Sequence, residues 1–358
     1  MTEAWLREQL AGYRLPENLG FGRELAPVMY HAEYRDGRWR PGRLAPYAPL
    51  SIDPAATVLH YAQQAFEGLK AYKVDQASPA LFRPELNYFR LLRSSRRMCI
   101  PGLPPEIFAE ALARVTSALA DFIPAGSGQS LYLRPFVMGT GPCLSVKSSD
   151  AFTFLLIASP SDTYFSQPIR VMVERTDCRA AVGGTGADKV GGNYAASLQA
   201  TTQCIELGFD QPLWLDPVAR RNVEELSGMN LVAVIDGELH TPQLSGSILP
   251  GVTRDSLLEL GRHMGLTVIE RAMPVDPLLE DISSGRCSEF FACGTAAIVC
   301  PIAAVGDRDG SLVELATTGA VAERLRSAIL DIQEGRAADP FGWMVDAGDA
   351  GSLVARFS

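Results

Sequence analysis

Two Asp-Gly pairs constrain this chain more than any other local feature. They sit in "VMYHAEYRDGRWR" at 28–40 and "MNLVAVIDGELHT" at 229–241, each between apolar runs. An Asp-Gly pair in that setting is a two-residue hairpin turn, since both central residues must adopt positive φ. The chain is thus committed to antiparallel hairpins in both halves. Helices are set apart from them. Residues 84–98 and 105–122 have helical spacing, and in the second Ile107, Phe108, Ala111, Leu112, Val115, Leu119 and Phe122 share one face. Further helices are expected at 193–207, 252–265, 275–284 and 318–333, and strands at 130–139, 151–158, 212–216, 267–271 and 287–292. Hairpins mixed with separated helices make the fold class α+β rather than a regular βαβ series.

Length divides this material further. A chain of 358 residues exceeds what most single cores absorb, so two domains are expected. Turn formers and glycines crowd "SPSDTYFSQP" and "AAVGGTGADK" between 159 and 190. The expected division is a small N-terminal α/β domain at 1–163, a linker at 164–176 and a large C-terminal α/β domain at 177–358. The glycine-rich 176–188 stretch is expected to be a mobile loop.

Composition excludes several function classes. Net charge is −9 with dispersed basic residues, which opposes a nucleic-acid partner or an anionic membrane surface. The longest apolar run, 151–158, is far short of the roughly 20 residues of a membrane span. No signal peptide is expected from "MTEAWLREQL", and seven cysteines without zinc-like spacing or a CxxC fit a reducing cytoplasm. Four isolated histidines support neither a metal centre nor a histidine triad. The expected partner is a small molecule.

Lysine usage singles out one residue. The chain has four lysines (70, 73, 147 and 189) among 32 basic residues, so arginine is the usual cation here. Lys189, in "ADKVGGNY", is a candidate for chemistry that needs the amine itself, since an arginine cannot form an imine. If it holds pyridoxal phosphate, the cofactor needs an anion cradle, a ring-nitrogen partner and a donor to its phenolic oxygen. In "LPGVTRDSLLEL", Pro250 and Gly251 open a helix whose N–H groups at Val252 and Thr253 face an anion. Thr295 in "ACGTAAIVC" and Arg83 in "LFRP" are further phosphate candidates. Glu224 and Glu225 are candidates for the ring nitrogen, with alternation sending one inward and the other to solvent. Tyr194 is within reach of the phenolic oxygen. In "LYLRP", Tyr132 and Arg134 share one strand face and suit a carboxylate, while Tyr61 and Phe66 offer apolar walls.

Taken in order, "LHYAQQAFEGLKAYK", "LFRPELNYFRLLRSSRRM", "LYLRP", "KVGGNY", "EELSGMN", "ILPGVTRDSLLEL" and "CGTAAIVCP" resemble the branched-chain amino acid aminotransferases, pyridoxal-phosphate enzymes of fold type IV. The resemblance runs from about Phe21 to about residue 335. It implies two α/β domains with the active site between them, and Lys189 as the Schiff-base lysine. It further implies that Tyr194 holds the phenolic oxygen, that Glu225 pairs with the ring nitrogen, and that Arg83, Val252, Thr253 and Thr295 bind phosphate. Tyr61, Tyr132, Arg134 and the Thr295–Ala296 backbone resemble the substrate-binding set; Phe21, Phe66 and Tyr164 resemble the side-chain pocket. Leu144 and Val146 in "PCLSV" match a loop lent to the neighbouring active site of a homodimer. The implied reaction exchanges the amino group of L-leucine, L-isoleucine or L-valine with 2-oxoglutarate, giving branched-chain 2-oxo acids and L-glutamate. Two departures stand out. Ala297 occupies the first position of a CxxC found in some members, so thiol switching with Cys300 is not expected, and Gly228 stands where some members carry a hydroxyl. Related fold-type-IV readings are a D-amino acid aminotransferase or an aminodeoxychorismate lyase. A non-catalytic binding protein would need neither Lys189 nor Glu225.

Overall fold

The structure is a computed structural model describing residues 4–73, 78–162, 167–315 and 319–357. It divides into two compact units, one of residues 1–164, 188–191 and 330–358, the other of residues 165–187 and 192–329.

The first unit is built on an antiparallel sheet of nine strands among the described residues. Its centre is the pair Ser130–Gly139 and Phe152–Ser161, in register from Ser130↔Ser161 to Gly139↔Phe152. Val28–Arg35 pairs with the other edge of Phe152–Ser161 and turns back into Arg38–Trp39. Asp36 and Gly37 take φ of 53° and 76°, the positive values the Asp-Gly turn demands. Helix Pro105–Ala118 lays Phe108, Ala111, Leu112 and Val115 into the core with Leu131 and Leu133. It is shorter than expected: after Leu119 the chain tightens into a 3₁₀ turn at Ala120–Phe122.

The second unit carries a mixed sheet, again of nine strands among the described residues. Asn230–Ile235 and Glu238–Pro242 form the expected hairpin, with Asp236 and Gly237 at φ of 52° and 82°. Ile169–Glu174 lies parallel to both Gln211–Leu215 and Ile298–Gly306. The helix expected at 193–207 is two pieces, Gly191–Ala195 and Leu198–Glu206. At the break the Ser197 hydroxyl donates to the Tyr194 carbonyl at 2.8 Å, a local bond that competes with the helical ladder.

The expected domain bounds need correcting in three places. Residues 169–174 are not linker but a strand inside the second sheet, because "IRVMVE" is a β-branched apolar run that buries Val171, Met172 and Val173. Residues 330–358 belong to the first unit: Met344–Asp346 pairs with Ala80–Phe82, and Phe357 stacks on Tyr88 at 4.9 Å. Residues 188–191 also belong there, since Val190 is buried in its core. Lys189 thus sits in the first unit, not in the C-terminal domain. Among the described residues no helix is long and apolar enough to cross a membrane.

Candidate active site

In the first unit the Lys189 backbone is clamped at both ends of its peptide. Its N–H donates to Ser94 Oγ at 2.8 Å, and its carbonyl accepts from the Phe66 N–H at 3.0 Å. Ser94 lies on helix Pro84–Arg97, which also supplies Arg93 to Asp188 at 3.3 Å. With the main chain so held, Lys189 Nζ stands 4.8 Å from the centre of the Phe66 ring. Arg134 lies 4.9 Å from the same ring. Arg134 donates through Nη2 to Tyr132 Oη at 2.9 Å, and Phe21 meets Tyr132 edge-on at 4.8 Å. Strand alternation accounts for this: Leu131 and Leu133 go to the core, which turns Tyr132 and Arg134 to the other face. Gly68 completes the fit, since a Cβ there would fall 2.0 Å from Tyr132 Oη.

Beneath this cluster lies a charge pair that the sequence reading did not single out. Glu67 is fully buried and takes Arg90 through Nε at 2.7 Å and Nη2 at 2.8 Å, with Asn87 at 2.8 Å. Burial pushes its carboxyl up, but the Arg90 guanidinium, Asn87 and the charge of Lys189 outweigh that and hold it below the usual range. Asn87, Arg90 and Ser94 recur every three or four residues on one helix face. That spacing on one helix face, with Glu67 beside Phe66 in the same motif, was the signal available.

Other expected residues of this unit fall elsewhere on it. Arg83 caps helix Pro84–Arg97 with φ of 47°, and its guanidinium lies 5.0 Å from the Trp343 ring. Tyr61 donates to the Leu144 carbonyl, and Leu144 and Val146 are 70% and 88% exposed. Tyr164 lies outside the described residues.

In the second unit the two glutamates depart from expectation. Both are 4% exposed, so alternation does not send one to solvent. The strand Val223–Leu226 is buried on both faces, and each carboxyl is met by its own donors. Glu225 takes Arg179 Nη2 at 2.6 Å, Asn230 Nδ2 at 2.9 Å and the Leu249 N–H at 3.1 Å. Glu224 takes the hydroxyls of Ser247 and Ser245. Burial pushes the Glu224 carboxyl up, only partly offset by those hydroxyls and by Arg179.

Helix Val252–His263 begins at the expected residue, with Gly251 as its N-cap. Its first N–H groups have no partner within the helix, the arrangement expected of an anion cradle, and Val252 and Thr253 are each 7% exposed. Asn230 ties this cradle to Glu225, donating also to the Leu249 carbonyl at 2.9 Å, and Gly251 packs so closely that a Cβ would fall 2.0 Å from Asn230 Oδ1. Thr295 and Ala296 form the turn between strands Cys287–Gly294 and Ile298–Gly306. Tyr194 is half-buried on Gly191–Ala195. The loop before Lys189 is pinned: Arg179 donates to the carbonyls of Gly186 and Ser247, and Thr185 donates to Asn193.

Comparison with known proteins identifies the family. The amino-transferase class IV family matches residues 64–305. The chain belongs to that family. It is 45% identical to the branched-chain-amino-acid aminotransferase of Mycolicibacterium smegmatis over 91% of this chain and 92% of that protein. The branched-chain amino acid aminotransferase from Escherichia coli superposes with a TM-score of 0.72 at 26% identity, covering 90% of this chain and 100% of that one. The T.th. branched-chain amino acid aminotransferase, solved with pyridoxamine 5'-phosphate, gives 0.72 at 27% identity, covering 88% and 98%. The fold is the α+β fold type IV of those enzymes, and the chain is a transaminase.

For this aminotransferase the residues present fit a pyridoxal-type cofactor. The second unit offers an anion cradle fastened to a buried carboxylate through Asn230, which complements a phosphate at one end of a ring and a protonated nitrogen at the other. In the first unit Arg134 Nε is buried without a hydrogen-bond partner, a donor suited to a carboxylate ligand. Among the described residues no group of three or more His, Cys, Asp or Glu could hold a metal ion.

Proposed function

We propose that this enzyme transfers the amino group of L-leucine, L-isoleucine or L-valine to 2-oxoglutarate, reversibly, with pyridoxal 5'-phosphate as cofactor. One observation carries the reading: a lysine amine and a carboxylate-seeking arginine approach the same aromatic ring, 4.8 and 4.9 Å from Phe66, with Phe21 and Tyr132 beside them. An amino acid with an aliphatic side chain presents the matching groups, an amine or oxo carbon, a carboxylate and an apolar remainder.

Lys189 would hold the cofactor aldehyde, Tyr194 its phenolic oxygen, Glu225 its ring nitrogen, and Arg83, Val252, Thr253 and Thr295 its phosphate. When bound, pyridoxal phosphate supplies an electron sink for the pair left on the substrate Cα. With its bond to the cofactor exchanged for the substrate amine, the freed Lys189 Nζ would take the Cα proton as a base and return it on the product side as the conjugate acid. Arg134, with Tyr132, Tyr61 and the Thr295–Ala296 backbone, orients the carboxylates, Arg134 being placed for the second carboxylate of 2-oxoglutarate or L-glutamate. Phe21 and Phe66 wall the side chain. In a cytoplasmic homodimer, the exposed Leu144 and Val146 would cover the partner's pocket.

Absorption spectra of the protein with pyridoxal phosphate test this. A visible imine band should form and bleach on adding L-leucine. A band that responds to D-alanine and ignores L-leucine would overturn the substrate assignment, and a colourless protein the cofactor. A second expectation concerns Gly68→Ala. The added methyl displaces Tyr132 Oη from Arg134, removing a charge-assisted hydrogen bond of about 1.5 kcal/mol, so KM for 2-oxoglutarate should rise about tenfold. An unchanged KM would show that the Tyr132–Arg134 bond does not orient the acceptor.

A further inference from the structure

Arg179 is a buried arginine on the loop that precedes Lys189, and none of the roles above uses it. Its Nη2 lies 2.6 Å from Glu225 Oε1, with both side chains 5% exposed. Through the same nitrogen it donates to the Gly186 carbonyl at 3.2 Å and to the Ser247 carbonyl. Gly186 makes that grip possible, since a Cβ there would fall 2.3 Å from the Ser247 oxygen. One guanidinium nitrogen thus shares its two hydrogens among two carbonyls and one carboxylate, while Nε is buried without a partner.

The contrast with Glu224 shows what this does. Two adjacent glutamates are equally buried, yet they have different partners. Glu225 has the cation, an amide and a backbone N–H; Glu224 has hydroxyls, with Oε2 buried and unpartnered. A carboxylate taken out of water needs a compensating charge to stay ionised, whereas a carboxylic acid does not. Burial raises the Glu224 carboxyl, and the serine hydroxyls and the charge of Arg179, which pairs with Glu225, offset this only in part. Ser247 spans both, donating its hydroxyl to Glu224 and accepting at its carbonyl from Arg179.

We propose that Arg179 is a positioning residue for the cofactor's ring nitrogen: it holds Glu225 ionised and oriented, and it selects Glu225 rather than Glu224 as the carboxylate that serves. This rests on the assignment of Glu225 to the ring nitrogen. Without it, Glu225 would be a buried carboxylate without its counter-charge, and would take a proton instead of pairing with the pyridinium.

A double-mutant cycle on cofactor affinity tests this. Apoprotein is titrated with pyridoxal phosphate for wild type, Arg179→Met, Glu225→Gln and the double variant. By analogy with the outer-shell partners of metal ligands, whose loss costs about 10- to 100-fold in affinity, Arg179→Met should weaken binding about 30-fold in the wild-type background. In the Glu225→Gln background it should weaken binding less than about threefold, since there is no carboxylate left to hold. The same fold loss in both backgrounds would overturn the inference. Arg179→Lys keeps the charge and provides the check if the methionine variant does not fold: binding should recover to within about fivefold of wild type. A folded lysine variant that binds no better than Glu225→Gln would also overturn it. Failure of wild type to bind pyridoxal phosphate would strike the functional reading itself, and Glu225→Gln binding as well as wild type would strike the assignment of Glu225.

Discussion

Replacing Lys189 with alanine lowers the rate of L-leucine transamination on the order of 10⁵-fold, the scale seen when a residue that both bonds to the reacting system and moves its proton is removed. Replacement with arginine lowers it as far. The charge over Phe66 survives in that variant, but the amine does not, and a guanidinium neither forms an imine nor gives up its proton. Pre-steady-state rates for the two variants check this, with added methylamine as a third arm. Partial rescue of the alanine variant by the small amine, and none of the arginine variant, is the expected pattern, because only the first leaves room for a replacement base. An arginine variant retaining more than about 1% of the wild-type rate would show that Lys189 acts through its charge alone. The backbone clamps from Ser94 and Phe66 do not depend on the side chain, so both variants should keep the wild-type fold.

The second large effect is on stability. Arg90→Met leaves the Glu67 carboxylate buried without its principal counter-charge, and breaking a buried pair by removing one partner costs about 3–5 kcal/mol. Urea unfolding at neutral pH measures the loss. The pH dependence provides its signature. In the wild type the folded-state Glu67 carboxyl is held below its ordinary value, so its contribution is fully present above the unfolded pKa and is lost as pH falls through the folded one. In Arg90→Met, burial is no longer outweighed by Arg90 and the carboxyl rises, so the variant's deficit should shrink as the solution is acidified toward pH about 4, where Glu67 protonates in the unfolded chain too. A deficit that stays constant with pH would indicate lost packing around Arg90 instead of an uncompensated charge.

What was legible in the sequence was mainly local. The hairpins at 28–40 and 229–241 could be read because Asp-Gly between apolar runs admits few turns, and the helix at 105–118 because its apolar residues recur on one face. Tyr132 and Arg134 could be placed together because two residues of a strand separated by one must share a face. The break at Ser197 was missed because a hydroxyl's choice between its own backbone and solvent depends on surroundings that spacing does not describe. The strand at 169–174 was missed because its six residues follow a turn-rich stretch and lack a turn signal of their own.

The chain's order of residues by itself determined the chemistry available: a rare lysine beside a glycine pair, a helix start opened by proline and glycine, a pair of glutamates before a glycine turn. Tertiary structure decided which groups those residues meet. Glu224 and Glu225 are neighbours with the same side chain, and only folding, which brings Arg179, Asn230 and Leu249 to one and two serines to the other, makes them different acids. Lys189 follows the segment of the second unit yet belongs to the first, because Val190 packs in that core and Ser94, 95 residues earlier, takes its N–H. The reason is the same in both cases. Propensity and periodicity act over a few residues, whereas burial, counter-charge and desolvation depend on residues that are far apart in sequence and near only in space.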